Sequence, residues 1–533
     1  MIFRRLGWLA AIAAAALLEI SCGQVYRPVV IPTGIVRPNP QNFHAVFAIS
    51  TNVAFDPGTA LQIDVSGDSD IGSENMGINP THAAILPNNS RVFVASAGSL
   101  FPGDADTVMA FTPASDSSTA TGLGSPTVFS LPNFGPTDAT TGLSAWSCSY
   151  LPDFVTTTQQ GFVYLANYGV DNDPNCSSNL PSTDSVAILS TTLNTISKIS
   201  YLGAGMHPVA MAETPDALNL YVLNQGTNTV SDLSPTDLTT FATIPVGSLP
   251  AWVVARQDSR RVYVLTQGGG QLIPIDTATN TILTSQTNLN VGAGANFVLY
   301  DHALNRLYVT NPTTGTVYVF LATGGVDSTG AANDTPTLLA TISMTGGANS
   351  PCPNGCSPVS VTALPDGSRF YVASYELESA CQDPNVVTSG GSPAPCIIPM
   401  LTVFDAASLT VTPVPSTLLA APSLSLLTSP PFAGTQYAVA QAPSCVTAAT
   451  YSPASVRFRM FTTSSIDSTH VYVSICDAGM IADIDTVTSS ISTGGSNNPN
   501  TVITDLAAPF SSGVIQVNGE PLPQSPVFLL TGQ

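Results

Sequence analysis

The amino-acid sequence predicts an all-β protein, a single β-propeller of four-stranded antiparallel blades. Three observations support this prediction. Only 9% of the residues are charged, a short apolar run with an aromatic centre recurs along the chain, and its most closely spaced copies are 42 and 45 residues apart. Propeller blades of four strands have a repeat of about this length, about 40–45 residues.

Composition favours strands over helices and argues against one class of partner. Lys198 is the only lysine among 533 residues, whereas solvent-facing helices usually rely on Glu and Lys pairs. Strands joined by Ser, Thr, Asn, Gly and Pro turns fit the composition better. The net charge of -21 repels a phosphate backbone, so the sequence predicts no nucleic-acid partner.

The N-terminal 42 residues are interpreted as export and anchoring segments. Residues 1–21 read as a signal peptide, because Arg4 and Arg5 precede an apolar run too short to span a bilayer. Cys22 follows this run and resembles the acylated cysteine of bacterial lipoproteins, which implies lipid attachment at Cys22 and membrane contact by this anchor only. The alternative is ordinary cleavage, with Cys22 lost or free. Residues 22–42 contain four prolines and predict a semi-rigid tether.

The repeat occupies the remaining segment, 43–533. Each copy is followed by a second β run, which predicts a hairpin of strands B and C. The eight copies are Val46–Ala48, Val92–Ser96, Val163–Asn167, Leu220–Asn224, Val262–Thr266, Leu307–Asn311, Phe370–Ser374 and Val471–Ser474.

Flanking segments supply the other two strands of a blade. Pro208–Ala210 precedes a copy as strand A, and Ile244–Gly247 closes the same blade as strand D. A last β run, Pro526–Leu530, predicts that the C-terminus supplies the missing strand of the first blade. The ring is then closed by the N- and C-terminal strands, with eight blades by hairpin count and seven as the alternative. Closure removes exposed strand edges.

Two short motifs carry a family resemblance. Tyr308–Asn311 reads Tyr-Val-Thr-Asn, and Ile275–Thr277 reads Ile-Asp-Thr. The chain resembles the YVTN-repeat β-propeller proteins, a family found among exported bacterial and archaeal proteins. The resemblance covers about residues 43–505 and implies the propeller fold, with longer segments between repeats than the family usually has.

Eight cysteines remain when Cys22 is set aside, an even number for a chain bound for an oxidising compartment. In an antiparallel blade, the B–C loops and the D–A links emerge on one face of the ring, and all eight cysteines map to that face. Proximity within a blade favours four local disulfides, although a zinc site at Cys352 and Cys356 is the rival interpretation of that pair. These pairs are Cys148 with Cys176, Cys445 with Cys476, Cys352 with Cys356, and Cys381 with Cys396.

No linear motif for catalysis or for cofactor or metal binding occurs in the sequence. We therefore assign no catalytic, cofactor-binding or metal-ligating residue. The five histidines lack metal-ligand spacing, although His82 and His207 lie next to the starts of strands A. Asp171 and Asp173 are interpreted as turn residues, and the repeated arginines before strand B, such as Arg91, as scaffold.

These observations lead to a noncatalytic, extracytoplasmic binding protein of the cell envelope as the expected function, located in the periplasm or at the cell surface. Its ligand is unknown, and the expected partner is a protein or an envelope polymer on the face of the B–C loops and D–A links. Loops held by covalent bonds lose less entropy on binding. The alternatives are an enzyme acting on a small carbohydrate-derived lactone in the central channel and a structural envelope component.

Overall fold

Eight four-stranded antiparallel blades make up the computed structural model. It describes residues 45–52, 57–65, 69–98, 107–114, 123–132, 148–158, 161–173, 176, 180–283, 289–322, 336–344, 355–378, 396–409, 423–425, 439–440, 445, 458–486, 502–504, 516–517, 520–521 and 524–532. The predicted signal peptide and tether, with Cys22, lie outside these residues. None of the helical segments among the described residues is long and apolar enough to cross a membrane.

Strands within a blade are named A to D from the inside outwards, and their bounds are as follows. Blade 1 consists of Ser525–Thr531, Ala45–Thr51, Pro57–Asp64 and Ser69–Ile78; blade 2 of Pro80–Ile85, Val92–Ser96, Thr107–Phe111 and Thr127–Ser130; blade 3 of Pro152–Thr157, Val163–Asn167, Ser185–Ser190 and Thr195–Tyr201; and blade 4 of Pro208–Glu213, Leu220–Asn224, Thr229–Leu233 and Thr240–Pro245.

The second half of the ring has the same order. Blade 5 consists of Pro250–Ala255, Arg261–Thr266, Gln271–Asp276 and Thr281–Ile282; blade 6 of Phe297–Asp301, Arg306–Asn311, Thr316–Leu321 and Thr337–Ser343; blade 7 of Ser357–Ala363, Arg369–Glu378, Cys396–Asp405 and Ser423–Ser425; and blade 8 of Met460–Ser464, His470–Ile475, Met480–Asp485 and Val502–Thr504. Val439–Ala440 also pairs with strand C of blade 7, and Gln516–Val517 pairs with Glu520–Pro521.

The predicted closure of the ring is confirmed, and eight rather than seven blades are present. The C-terminal strand Ser525–Thr531 is strand A of blade 1 and runs antiparallel to Ala45–Thr51. The Gly532 amide donates to the Ala45 carbonyl at 2.9 Å. One blade therefore contains both ends of the propeller.

Strand B is the buried centre of each blade, and its aromatic residue also joins neighbouring blades. The Tyr164, Tyr221 and Tyr263 side chains are fully buried. Their hydroxyls donate to the Pro235 carbonyl at 2.9 Å, to Asn280 Oδ1 at 2.7 Å and to the Ala322 carbonyl at 2.6 Å. Each acceptor belongs to the C–D turn of the following blade, so one repeated tyrosine both fills a core and satisfies its hydroxyl.

Repeated arginines make similar contacts on the face of the A–B and C–D turns. Arg91 of blade 2 donates to the Thr191 carbonyl at 3.0 Å in the C–D turn of blade 3. Arg306 of blade 6 donates to the Ala406 carbonyl in the C–D turn of blade 7. These contacts agree with the interpretation of the arginines as scaffold residues.

Candidate functional site

Aromatic side chains from strands A meet at the axis of the ring. Consecutive strands A touch around the whole ring. Rings from blades that are not neighbours are also in contact: the Trp252 centroid of blade 5 lies 6.1 Å from that of His82 in blade 2 and 5.7 Å from that of Phe154 in blade 3. Such contacts cross the axis. The axial aromatic cluster comprises His82, Phe154, Trp252, Phe297, Phe458, Phe461 and Phe528.

The axial aromatic cluster lies in the half of the ring nearest the D–A links. Most of its members lie within the first three residues of their strands A, Phe528 is the fourth residue of its strand, and Phe458 precedes strand A of blade 8 by two residues. Phe458, Phe297 and Phe528 are buried. Aromatic rings in mutual contact therefore occupy part of the axis on this side of the ring.

His82 is a partly buried member of this cluster. Its ring is stacked 3.9 Å from that of Phe154, and its Nδ1 lies 3.0 Å from the Val155 carbonyl. Burial lowers the pKa of His82 to about 3, against the opposing effect of the hydrogen bond with Val155. His82 is therefore neutral at neutral pH, and its Nδ1–H donates to the carbonyl oxygen.

Disulfides tie loops together on the opposite side of the blades from the arginines. Cys148 in the D–A link before blade 3 is bonded to Cys176 in the B–C loop of that blade, and Cys445 is bonded to Cys476 in the same way in blade 8. Cys356 and Cys396 are also disulfide-bonded, whereas their expected partners at positions 352 and 381 lie outside the described residues. All six described cysteines lie in B–C loops or D–A links, or at the adjoining strand ends, and so share the predicted face.

The B–C loop of blade 3 carries the two aspartates that sequence analysis assigned to turns. Asp173 Oδ2 accepts from the Ser149 amide at 2.8 Å, beside the Cys148–Cys176 bond. Asp171 Oδ1 accepts from the Gly205 amide at 3.0 Å, in the link to blade 4. The aspartates therefore bind this loop to the links on its two sides.

His207, the last residue of the link to blade 4, contacts residues of the same loop on both sides of its ring. Its Nδ1 lies 3.0 Å from the Tyr168 carbonyl and 3.4 Å from Asp184 Oδ1, and its Nε2 lies 3.9 Å from Asp171 Oδ2. The ring stacks on that of Tyr168 with centroids 4.4 Å apart. The His207 side chain is 23% exposed, whereas that of Asp184 is fully buried.

Charge and tautomer at His207 follow from these partners. Two acceptors face Nδ1, so this nitrogen carries a proton. The hydrogen bond with Asp184 raises the pKa of His207, and the negative charges of Asp184 and Asp171 act in the same direction against burial. Asp184 Oδ2 also accepts from the Met206 and His207 amides at 2.8 and 3.0 Å, which fixes the loop against the link.

The backbone of His207 belongs to the repeat, and only its side chain is special. Asn79, Leu151, His207 and Leu249 each precede the proline that begins a strand A, and all four have a left-handed backbone with φ between 48° and 58°. Among these four equivalent positions, only the one in blade 4 carries an ionisable side chain. The backbone conformation at position 207 is therefore imposed by the scaffold. The chemistry at this position is set by the type of residue.

Blade 8 has a comparable loop with a permanent cation. Arg459 Nε lies 2.9 Å from Asp477 Oδ2, next to the Cys445–Cys476 bond, and the guanidinium lies 5.3 Å from the centre of the Tyr375 ring. Here too a disulfide and an ion pair fasten a B–C loop to the preceding link.

The two histidines that lie next to strand A starts do not come together in the structure. His82 and His207 have different partners, and among the described residues no group of three or more His, Cys, Asp or Glu side chains could hold a metal ion. A cavity of about 280 Å³ lies at the seam between blades 1 and 2, on the face of the arginines, and its lining, including Gln62, Asn88 and Thr112, is uncharged.

Sequence reasoning missed Asp184, although an aspartate directly before strand C, opposite a histidine-bearing link, was the available signal.

Comparisons with known proteins concern the fold. No protein-family model and no curated protein matches the sequence. The periplasmic gluconolactonase of Pseudomonas aeruginosa is 14% identical, with 66% of this chain and 96% of that chain covered and a TM-score of 0.42. The dihydro-heme d1 dehydrogenase NirN is 11% identical, with 88% and 74% covered and a TM-score of 0.49. The Swd1 propeller domain of Myceliophteria thermophila is 10% identical, with 77% and 95% covered and a TM-score of 0.40.

Proposed function

We propose that this propeller is an exported, noncatalytic binding protein of the YVTN-repeat type, anchored to a membrane by lipid on Cys22. Its partner is a protein or an envelope polymer, and it binds on the face of the B–C loops and D–A links. The single observation that carries the proposal is the attachment of B–C loops to D–A links by Cys148–Cys176 and Cys445–Cys476 on that face.

Pre-ordered loops on a rigid ring are suited to binding because little loop entropy is lost on association. The axis supports the same conclusion, since packed rings such as Trp252 and Phe297, 5.1 Å apart, occupy the half of the channel next to this face. The lactone-hydrolysing alternative requires acid–base groups at the axis, where the only ring nitrogen base of the cluster is His82, with its pKa lowered to about 3.

The test compares two exposed leucines on opposite faces. Leu249 lies in the link between blades 4 and 5, on the proposed binding face, and is 44% exposed; Leu218 lies in the A–B turn of blade 4, on the other face, and is 65% exposed. Leu249→Asp and Leu218→Asp each replace an apolar contact by a charge without touching a core. Both variants and the parent protein are cross-linked to envelope extract under nonreducing conditions, and bound proteins and glycans are identified.

We expect one reproducible partner that is lost with Leu249→Asp and with the Cys148→Ser/Cys176→Ser double variant, and retained with Leu218→Asp. Loss with Leu218→Asp alone would place binding on the wrong face and refute the proposal. Hydrolysis of glucono-δ-lactone by the purified protein, followed by pH-stat, would instead favour the enzymatic alternative.

The anchor needs its own experiment. Metabolic labelling with a radioactive fatty acid should label the parent protein and should fail with Cys22→Ser, and the variant should move from the membrane to the soluble fraction. Unchanged membrane association of Cys22→Ser would rule out Cys22 as the anchor.

A further inference from the structure

The B–C loop of blade 3 spans residues 168–184, and its described residues, 168–173, 176 and 180–184, are fastened on both sides by different chemistry. Towards the preceding link it is held by the Cys148–Cys176 bond and by Asp173 accepting from the Ser149 amide at 2.8 Å. Towards the following link it is held by Asp171, Asp184 and His207. One side includes a covalent bond, and the other combines backbone N–H donors to Asp171 and Asp184 with an ionisable histidine.

The charge of His207 decides whether Nε2 presents a hydrogen or a lone pair to Asp171. Nδ1–H points to the Tyr168 carbonyl at 3.0 Å and to Asp184 Oδ1 at 3.4 Å in either charge state. Nε2 lies 3.9 Å from Asp171 Oδ2. The imidazolium presents N–H to Asp171, whereas the neutral ring presents a lone pair to a carboxylate, which is repulsive.

We propose that His207 is a protonation latch: in mildly acidic medium its charge adds to the backbone hydrogen bonds that hold the Asp171 end of the blade 3 B–C loop against the start of blade 4, and this added attraction is lost as the pH rises. The proton is exchanged at Nε2, because Nδ1 stays protonated throughout and Nε2 faces the partly exposed side chain of Asp171.

The direction of the pH dependence follows from the groups that face the ring. Asp171 and Asp184 of the loop are negative, Tyr168 contributes a carbonyl and a stacked ring, and the B–C turn of blade 4 approaches with the uncharged Gly226. The pKa of His207 is raised above its ordinary value of 6.5. The stabilisation is thus complete below about pH 6.5 and is lost as the pH rises through the folded-state pKa.

The loop lies on the proposed binding face, so a regulatory meaning of the latch rests on the proposed function. The latch itself does not, and its test uses no partner. A failed capture experiment and a failed latch experiment are therefore separate results.

Hydrogen exchange measured by mass spectrometry at pH 6.0 and 8.5 tests the latch, after correction for intrinsic exchange rates. Peptides that cover 168–184 report loop amides such as Asn172, which donates to the Pro181 carbonyl at 2.8 Å. Peptides that cover the blade 8 loop are the internal control, because Arg459 keeps its charge over this range and pairs with Asp477 at 2.9 Å.

His207→Asn is the matched variant, because Asn79 occupies the equivalent position of blade 2 with the same backbone and can donate as Nδ1–H does. Asp171→Asn removes the acceptor that faces Nε2 at a partly exposed position. In the parent protein we expect protection of 168–184 to be about fivefold greater at pH 6.0 than at pH 8.5, the size of a partly exposed ion pair.

In both variants the pH dependence should disappear, with protection at the level of the parent protein at pH 8.5. The NMR titration of the His207 ring protons should give a pKa above 6.5 in the parent protein and a lower one in Asp171→Asn. Equal parent protection at the two pH values, an unchanged pH dependence in His207→Asn, or a His207 pKa below 6.5 would overturn the latch.

Discussion

Removing the C-terminal strand should unfold the whole ring, because this strand completes blade 1. The perturbation is deletion of residues 525–533, which contribute the buried side chains Val527, Phe528, Leu529 and Leu530. Their own burial is largely offset by the entropy of ordering nine residues, at about 1–2 kcal/mol each. The net loss therefore comes from the apolar surface that the deletion leaves behind.

That surface is large enough to decide the outcome. Phe47 and Ile49 lie in the strand that pairs with the deleted one, and the Phe461 ring stacks 4.5 Å from that of Phe528. Exposing three such side chains costs about 5–9 kcal/mol, at about 1.5–3 kcal/mol each. Proteins are stable by about 5–15 kcal/mol, so the deletion removes most or all of the free energy of unfolding.

Urea unfolding followed by circular dichroism measures the effect, and a graded variant separates packing from ring opening. Leu529→Ala should lower the free energy of unfolding by about 2–5 kcal/mol. Leu193→Ala, at a side chain that is 73% exposed, should change it by less than about 0.5 kcal/mol.

A synthetic peptide of residues 525–533 should restore the cooperative transition of the truncated protein, and a scrambled peptide should not. A truncated protein that keeps the parent midpoint and cooperativity would refute the reasoning that the C-terminal strand closes the ring.

Three further results follow from the core and the axis. His82→Asn keeps a donor for the Val155 carbonyl but cannot titrate. Because the pKa of His82 is lowered to about 3 in the folded protein, acidification from pH 6.5 towards pH 4 favours the unfolded state. The variant should therefore lose less stability than the parent protein over this range. Tyr263→Phe removes one of two donors to the Ala322 carbonyl, the other being Arg256 Nη1 at 3.2 Å, and should cost about 0.5–1.5 kcal/mol in urea unfolding. Trp252→Ala should cost about 3–5 kcal/mol, partly recovered by indole in the cavity that it leaves.

Each of these results has a contrary outcome. Equal acid sensitivity of His82→Asn and the parent would show that another group governs it. Tyr318→Phe is the control for Tyr263→Phe, since Tyr318 is partly exposed in strand C, and equal costs would argue against a special role for the buried hydroxyl. A Trp252→Ala variant of parent stability would contradict a packed axis.

Strands B and C and the number of blades could be predicted from sequence because their signals are local. A buried run such as Val262–Thr266, followed by a turn and a second β run, forms a hairpin with that second run. The pairing does not depend on the rest of the ring. Strand parity placed the cysteines on one face, since the direction of successive antiparallel strands alternates whatever the blade contains. The bonds Cys148–Cys176 and Cys445–Cys476 are the expected pairs.

Strand D was harder to read from sequence, because the outer strand is exposed and has little apolar pattern. In blade 6, Thr337–Ser343 is exposed or half-exposed at every position. It is recognised by its pairing with strand C, which is a property of the folded blade.

What the sequence determined by itself is the scaffold: strands B and C with their turns, the count of eight hairpins and the face that carries the cysteines. What only the tertiary structure decided is which side chains meet. Trp252 reaches Phe154 and His82 because ring closure brings blades 2, 3 and 5 to one axis, and Asp184 reaches His207 because the link to blade 4 passes over the loop of blade 3. Local patterns specify how each segment folds, whereas contacts between distant segments exist only after the ring has closed.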